Sequence, residues 1–176
     1  VLQCNEQMFD LPDDSKNFNL AYWMNPDRRE LFFAKKVILL EGATEKAVIP
    51  YLAEKLDVFR HDFTLIDCGS KDSIPVYIHL LNKFKLSYCA VYDKDHQSGK
   101  SADAITSANI STQKIHDKLD TSLGSEVVFD NDIEEEVGIM DNRDKHNPSF
   151  TLSVVSEPSF SVSEGLKNKI TEIFRA

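Results

Sequence analysis

The sequence predicts an α/β domain: a mostly parallel, Rossmann-like sheet with helices on both faces. Three observations carry this. Val37-Ile38-Leu39-Leu40 and Tyr88 to Tyr92 are short apolar runs of the kind that form strands buried on both sides. Segments with helical periodicity separate these runs and a third one at Phe63 to Ile66. The strand–helix–strand–helix–strand order with short connections implies right-handed crossovers and parallel pairing.

Length and composition set the frame. The 176 residues suffice for one α/β domain, and 41% hydrophobic with 28% charged residues describes a globular chain. Eleven Phe and five Tyr supply core material. The formal net charge of -9 argues against a surface that grips nucleic acid all round by charge, though carboxylates that hold metals count toward that total. Cys4, Cys68 and Cys89 lack paired or zinc-type spacing and read as free thiols in a reducing compartment. With no signal-peptide pattern and no apolar run near membrane-spanning length, a cytoplasmic protein with no membrane partner is expected. The chain opens on Val1, not Met, as a piece of a longer protein would.

Residues 1–35 read as a linker or N-terminal arm from a missing upstream domain. Asp10, Pro12, Asp13, Asp14 and Ser15 form a polar turn cluster, and Asn25-Pro26-Asp27 resembles the start of a short helix over 26–34. Val37 to Leu40 is the first strand. Gly42 permits a sharp exit, and Thr44 caps a helix to about Leu56, with Ala47, Val48, Leu52 and Ala53 along its apolar side. Pro50 conflicts with that helix and implies a kink or a later start. Phe63 to Ile66 is the second strand. Asp72 or Ser73 caps the next helix, with Ile74, Tyr77, Ile78, Leu81 and Phe84 on one face. Tyr88 to Tyr92 is the third strand. His96 to Ser107 is polar and reads as a loop, followed by a helix over 110–123 and a fourth strand over 126–129. The acidic run 131–136 opens a short helix, and residues 141–149 are turn-like. Phe150 to Val155 reads as another strand, and Ser161 or Ser163 starts a terminal helix carrying Leu166, Ile170, Ile173 and Phe174.

The chemistry is expected where strands end. In open parallel sheets ligands bind beyond the carboxyl ends of the strands, which puts Glu41, Asp67, Asp93 and Asp95 at one edge. Glu45 falls in the first turn of the helix after Glu41, where free N–H groups offset its charge. Asp93 and Asp95 differ by two residues, so an extended segment turns both to one side. Hard oxygen ligands in this pattern suit Mg²⁺ or Mn²⁺, and two such ions activate water and stabilise the oxygens at a phosphorus. Without a cation, the crowding raises at least one pKa. The run Asp130, Asp132, Glu134, Glu135 and Glu136 offers a third cluster, against the alternative of a solvated acidic face. Lys71 follows the second strand on the same edge, within reach of a phosphate. No P-loop, dinucleotide fingerprint or Ser/His/Asp arrangement is present; His61, His79, His96, His116 and His146 are scattered, with His96 beside the acids.

The string FFAKKVILLEGATEKAVIPYLAEKL, then LIDCGSKDSIPVYIHLLNKF, then AVYDKD, resembles the Toprim (topoisomerase-primase) domain of the OLD (overcoming lysogenization defect) family of ATP-dependent endonucleases. The similarity covers about residues 28–140. It implies a Toprim-like fold, with residues 36–140 as the catalytic core and 141–176 as a C-terminal strand/helix extension. It also implies metal-dependent cutting of DNA with two Mg²⁺- or Mn²⁺-like ions. The family's glutamate pair looks like Glu41 and Glu45, and its DxD pair like Asp93 and Asp95. Its later acidic element resembles NDIEEE, with Asp132 and Glu135 or Glu134 as ligands. Some relatives open that element with a serine where Asn131 or Asp132 stands here. A downstream catalytic lysine of relatives corresponds to Lys167 or Lys169. Implied partners are DNA, an upstream ABC-type ATPase domain and a second copy of the chain. Lys71 or a C-terminal lysine would neutralise charge in the transition state. The competing readings are a Toprim-like module that binds metal or a partner without cutting, and a phosphotransfer enzyme acting on small phosphates.

Overall fold

The computed structural model describes residues 31, 33–96, 99–140 and 146–175. Among these, four strands form one all-parallel sheet in the order β2-β1-β3-β4: β1 (Lys36–Leu40), β2 (Phe63–Asp67), β3 (Tyr88–Asp93) and β4 (Gly124–Phe129). Six helices connect or cover them: α1 (Ala43–Lys55), α2 (Ile74–Phe84), α3 (Ala102–Lys118), α4 (Ile133–Glu136), α5 (Pro148–Ser156) and α6 (Glu164–Ile173). The expected α/β sheet with helices on both faces is therefore present. Arms and turns expected over 1–30 and 141–145, most of the 26–34 helix among them, lie outside the described residues.

The continuous apolar runs of β1 and β3 divide between two cores, because successive side chains point to opposite faces. Ile38, Leu40, Cys89 and Val91 pack with Val48, Ile49 and Leu52 of α1, Val155 of α5, and Leu166 and Ile170 of α6. Val37, Leu39, Tyr88, Ala90 and Tyr92 pack with Ile74, Tyr77, Ile78 and Leu81 of α2 and Ile115 of α3. Burial on both faces explains why these strands show no polar alternation.

Several local expectations are corrected. Gly42, not Thr44, is the N-cap of α1, and the Glu45 carboxylate reaches back to the Gly42 amide at 3.0 Å. That bond starts the helix two residues earlier. Pro50 lies inside α1, which runs from Ala43 to Lys55 without a break. Proline in a helix interior costs about 3 kcal/mol; complete burial of Val48, Ile49, Leu52 and Ala53 opposes it. Part of the expected 96–107 loop is helical. Ser101 caps α3 by accepting from the Ala104 amide at 3.2 Å, and the helix ends at Lys118 rather than 123. The expected strand at 150–155 is instead α5. Asn147 accepts from the Ser149 and Phe150 amides, and Pro148 occupies the first turn, so a helix start overrides the β-like run that follows. The terminal helix starts at Ser163, as one of the two expected positions.

Gly124 at the start of β4 faces the Tyr88 ring so closely that a Cβ there would lie 2.1 Å from a ring carbon. Tyr88 is fully buried and its hydroxyl accepts from the Asp120 amide at 2.9 Å, so the ring has no free direction to move. Gly124→Ala should cost about 1–3 kcal/mol of stability by overpacking, read as a lower urea midpoint with an unchanged m-value.

Candidate metal-binding cleft

The site forms where β1 and β3, neighbours in the sheet, both end. Leu40 pairs with Val91, which brings Glu41 beside the last residues of β3. Glu41 Oε2 accepts from the Asp93 amide at 3.1 Å and ties the two ends together. The chain runs from β1 outward to β2 and returns to β3 on the other side of β1, so this junction is the topological switch point of the sheet. Asp93 is the last residue of β3 and is buried.

A cleft of about 550 Å³ opens here. Glu41, Glu45, Asp93, Asp95, Asp132 and Glu134 supply its acids, Lys100 and His146 its basic groups, and Gly42 to Thr44 and Gly69-Ser70 the rest. Three chain segments thus contribute carboxylates: the β1–α1 turn, the end of β3, and the turn after β4. Asp132 caps α4 by accepting from the Glu135 amide at 2.8 Å, and that cap holds the acidic run in place.

Asp93 and Asp95 do meet in the cleft, but not by the expected alternation of an extended segment. The strand stops at Asp93, and Asp95 has φ +64°, a left-handed conformation. Backbone bonds from Lys94 N to the Phe129 carbonyl and from Asp95 N to the Asn131 carbonyl pin this turn to the end of β4. Lys100 then grips Asp95 Oδ1 at 2.8 Å.

Not every candidate lines the cleft. Glu135 accepts from the Asn131 side-chain amide at 2.6 Å. Asp67 accepts from the Gly69 amide at 2.8 Å and shapes the turn after β2. Lys71 is buried, with Nζ 2.5 Å from the Asp93 carbonyl oxygen rather than on the cleft wall. Lys167 is exposed on α6, and Lys169 pairs with Glu136 at 2.5 Å and Asp130 at 3.5 Å. His96 bonds Asn109 at 2.8 Å. Conversely, Lys100 and His146 line the cleft although the sequence pattern does not mark them as site residues. They sit in polar, turn-rich stretches whose pattern carries no strand-end signal.

The electrostatics record the crowding. Burial, with Glu45, Glu41, Glu134 and Asp132 around it, pushes the Asp93 carboxyl up to about 9. Burial raises Glu45 to about 7, helped by Glu41 and Glu134 and opposed by backbone hydrogen bonds. Glu41 and Glu134 are also raised, each chiefly by burial. Asp93 Oδ1 is buried without a hydrogen-bond partner. A buried carboxylate oxygen left unbonded costs about 1–3 kcal/mol or more, and a divalent cation in the cleft would satisfy it. The donor chemistry, hard oxygens from several segments, therefore fits such an ion. Among the described residues, however, no three His, Cys, Asp or Glu side chains are gathered around one point. The hydrogen bonds explain this: Glu45 is turned to Gly42, Glu41 to the Asp93 amide, and Asp95 to Lys100.

Residues 32–95 match the overcoming lysogenization defect protein-like, TOPRIM domain. The matched stretch runs from just before β1 to Asp95 and contains Glu41, Glu45, Asp93 and Asp95. Solved structures similar to the chain include the C-terminal regions of two OLD proteins. One is the C-terminal region of the Xanthomonas campestris pv. campestris OLD protein, 16% identical, covering 82% of this chain and 95% of that one at a TM-score of 0.42. The other is the C-terminal region of the Burkholderia pseudomallei OLD protein, 17% identical, covering 80% and 83% at a TM-score of 0.40. No curated protein matches. No helix among the described residues is long and apolar enough to cross a membrane.

The raised carboxyls make metal-free stability depend on pH. The folded chain holds protons on Glu45 and Asp93 that the unfolded chain has lost. Their contribution is complete below the ordinary carboxylate range and disappears as pH rises through about 7 and about 9. Thermal melts in EDTA should show the midpoint falling over this range. Asp93→Asn, which cannot ionise, should flatten the upper part of the fall and melt above the parent chain at the alkaline end.

Proposed function

We propose that this chain is the nuclease module of an OLD-like protein and hydrolyses DNA phosphodiester bonds with Mg²⁺ or Mn²⁺. The observation that carries the reading is the buried, unbonded Oδ1 of Asp93 at the centre of carboxylates from three chain segments. The TOPRIM match over 32–95 supports it, because that stretch carries both strand ends.

Glu41, Asp93 and Asp95 would hold one cation, and Glu45 with Asp132 and Glu134 a second position. Glu135 would contribute through its hydrogen bond to Asn131 in the same turn. When bound, a divalent cation lowers the pKa of water and stabilises charge on the phosphoryl oxygens. The chain's own acids at the cleft would orient the attacking water and take up its proton. Lys100, at the cleft edge, supplies positive charge facing the phosphate. Lys71 reaches the reaction through Asp95, and a lysine of α6, Lys167 or Lys169, would approach only if the DNA or a partner brought it near. The -9 charge requires a separate DNA-gripping surface, from an upstream ATPase domain or a second copy of the chain.

Incubation with supercoiled plasmid, linear duplex and a mononucleotide phosphate ester, each with Mg²⁺, Mn²⁺ or EDTA, tests the reading. DNA cutting with metal and none in EDTA is expected, with Asp93→Asn lowering the rate about a hundredfold or more. Hydrolysis of the mononucleotide ester alone would instead establish a small-phosphate enzyme. Folded protein that cuts nothing with either ion would establish a non-cleaving module.

A further inference from the structure

Lys71 is the one buried lysine or arginine among the described residues, and it does not line the cleft. It opens the short 3₁₀ turn (Lys71–Ser73) that follows β2, and its side chain passes the end of β1 to reach the end of β3. Three contacts fix the ammonium: the Asp93 carbonyl oxygen at 2.5 Å, Asp95 Oδ2 at 3.6 Å and the Tyr92 ring at 5.3 Å to its centroid. Tyr92 is itself anchored, donating to Glu126 at 2.8 Å, with His116 3.2 Å away.

These contacts meet at the least comfortable point of the backbone. Asp95 adopts φ +64°, which a residue with a Cβ takes up only at some cost. Its two carboxylate oxygens face two different lysines, Lys100 at the cleft edge and Lys71 from the interior. Lys100 is partly exposed. Lys71 is enclosed and stays.

We propose that Lys71 is a positioning residue: a built-in cation that holds the Asp93-Lys94-Asp95 turn in its left-handed form, so that Asp93 and Asp95 face the cleft ready for a divalent ion. The inference rests on the cation-binding reading above and deepens it. Lys71 touches neither substrate nor metal; it acts through the two aspartates.

Two physical effects of removing Lys71 have opposite signs, which makes the proposal decidable. A positive charge near a cation site repels the cation, so its loss as a mere charge tightens binding. A residue that orients ligands strengthens binding, and losing such a support typically weakens metal affinity about 10–100-fold. Lys71→Met keeps the length of the stem and drops the charge. Mn²⁺ titration of parent and K71M by calorimetry, with melting curves to establish folding, reads the sign directly. A loss of about tenfold or more in Mn²⁺ affinity, with DNA-cleavage kcat falling more than KM rises, is expected. Lys71→Arg, which keeps charge and donors, should recover part of the loss. Unchanged or tighter Mn²⁺ binding by folded K71M overturns the proposal and leaves the cleft reading standing. If K71M does not fold, Lys71→Gln carries the same comparison, with the same loss expected and the same contrary result. Absence of Mn²⁺ binding by the parent chain overturns the cleft reading and this proposal with it.

Discussion

The interaction on which the structure turns is the repulsion among carboxylates buried at the joined ends of β1 and β3. Asp93 sits at their centre, and its carboxyl is pushed up to about 9 first by burial and then by Glu45, Glu41, Glu134 and Asp132. A fold that needed only stability would not gather these charges. Leaving Asp93 Oδ1 enclosed and unbonded compounds the cost. Protons relieve the strain in the metal-free chain; on the proposed reading a divalent cation would relieve it more completely. Local strain of this kind, stored in an otherwise well-packed scaffold, is characteristic of functional sites.

The rest of the fold holds those charges where they would not otherwise stay. Two apolar cores clamp β1 and β3 from both faces, so the strand ends cannot splay apart. Backbone amides then absorb part of the charge. Gly42 donates to Glu45, the Asp93 amide to Glu41, and the Glu135 amide to Asp132. Lys71 and Lys100 hold Asp95 from opposite sides. The helices after β1 and β4 serve the same end, because an acid of the site completes each cap: Glu45 bonds back to the Gly42 N-cap of α1, and Asp132 is the N-cap of α4. Local capping and site construction are therefore one set of hydrogen bonds, and any cation must compete with them for the oxygens.

Much of this was legible in the residues, and the exceptions have physical causes. Uninterrupted apolar runs at Val37 to Leu40 and Tyr88 to Tyr92 announced buried parallel strands, and the acids that follow them had to emerge at one edge. The later segments were less readable. Phe150 to Val155 is apolar and partly β-branched, so it looks like a strand; the helix is set by Asn147 and Pro148 before it. The first half of α3 is largely exposed and carries no apolar stripe, so only the Ser101 cap marks its start. In the site, Glu41, Glu45, Asp93, Asp95, Asp132 and Glu134 could be read because they follow strands or open helices. Lys100 and His146 enter the cleft from loops whose course no periodicity encodes. The left-handed Asp95 was invisible for a related reason: the turn is held from a distance, by bonds to Phe129 and Asn131 more than thirty residues along the chain and by the Lys71 contacts from the turn after β2.

If these acids are gathered to hold a cation, anomalous scattering from a crystal soaked in Mn²⁺ will locate it. Anomalous density is expected in the cleft, within coordination distance of Asp93 Oδ1 and a carboxylate oxygen of Glu41, with Asp95 turned away from Lys100. Well-ordered density for the acids with no anomalous signal in the cleft, or a Mn²⁺ site elsewhere on the chain, would contradict it.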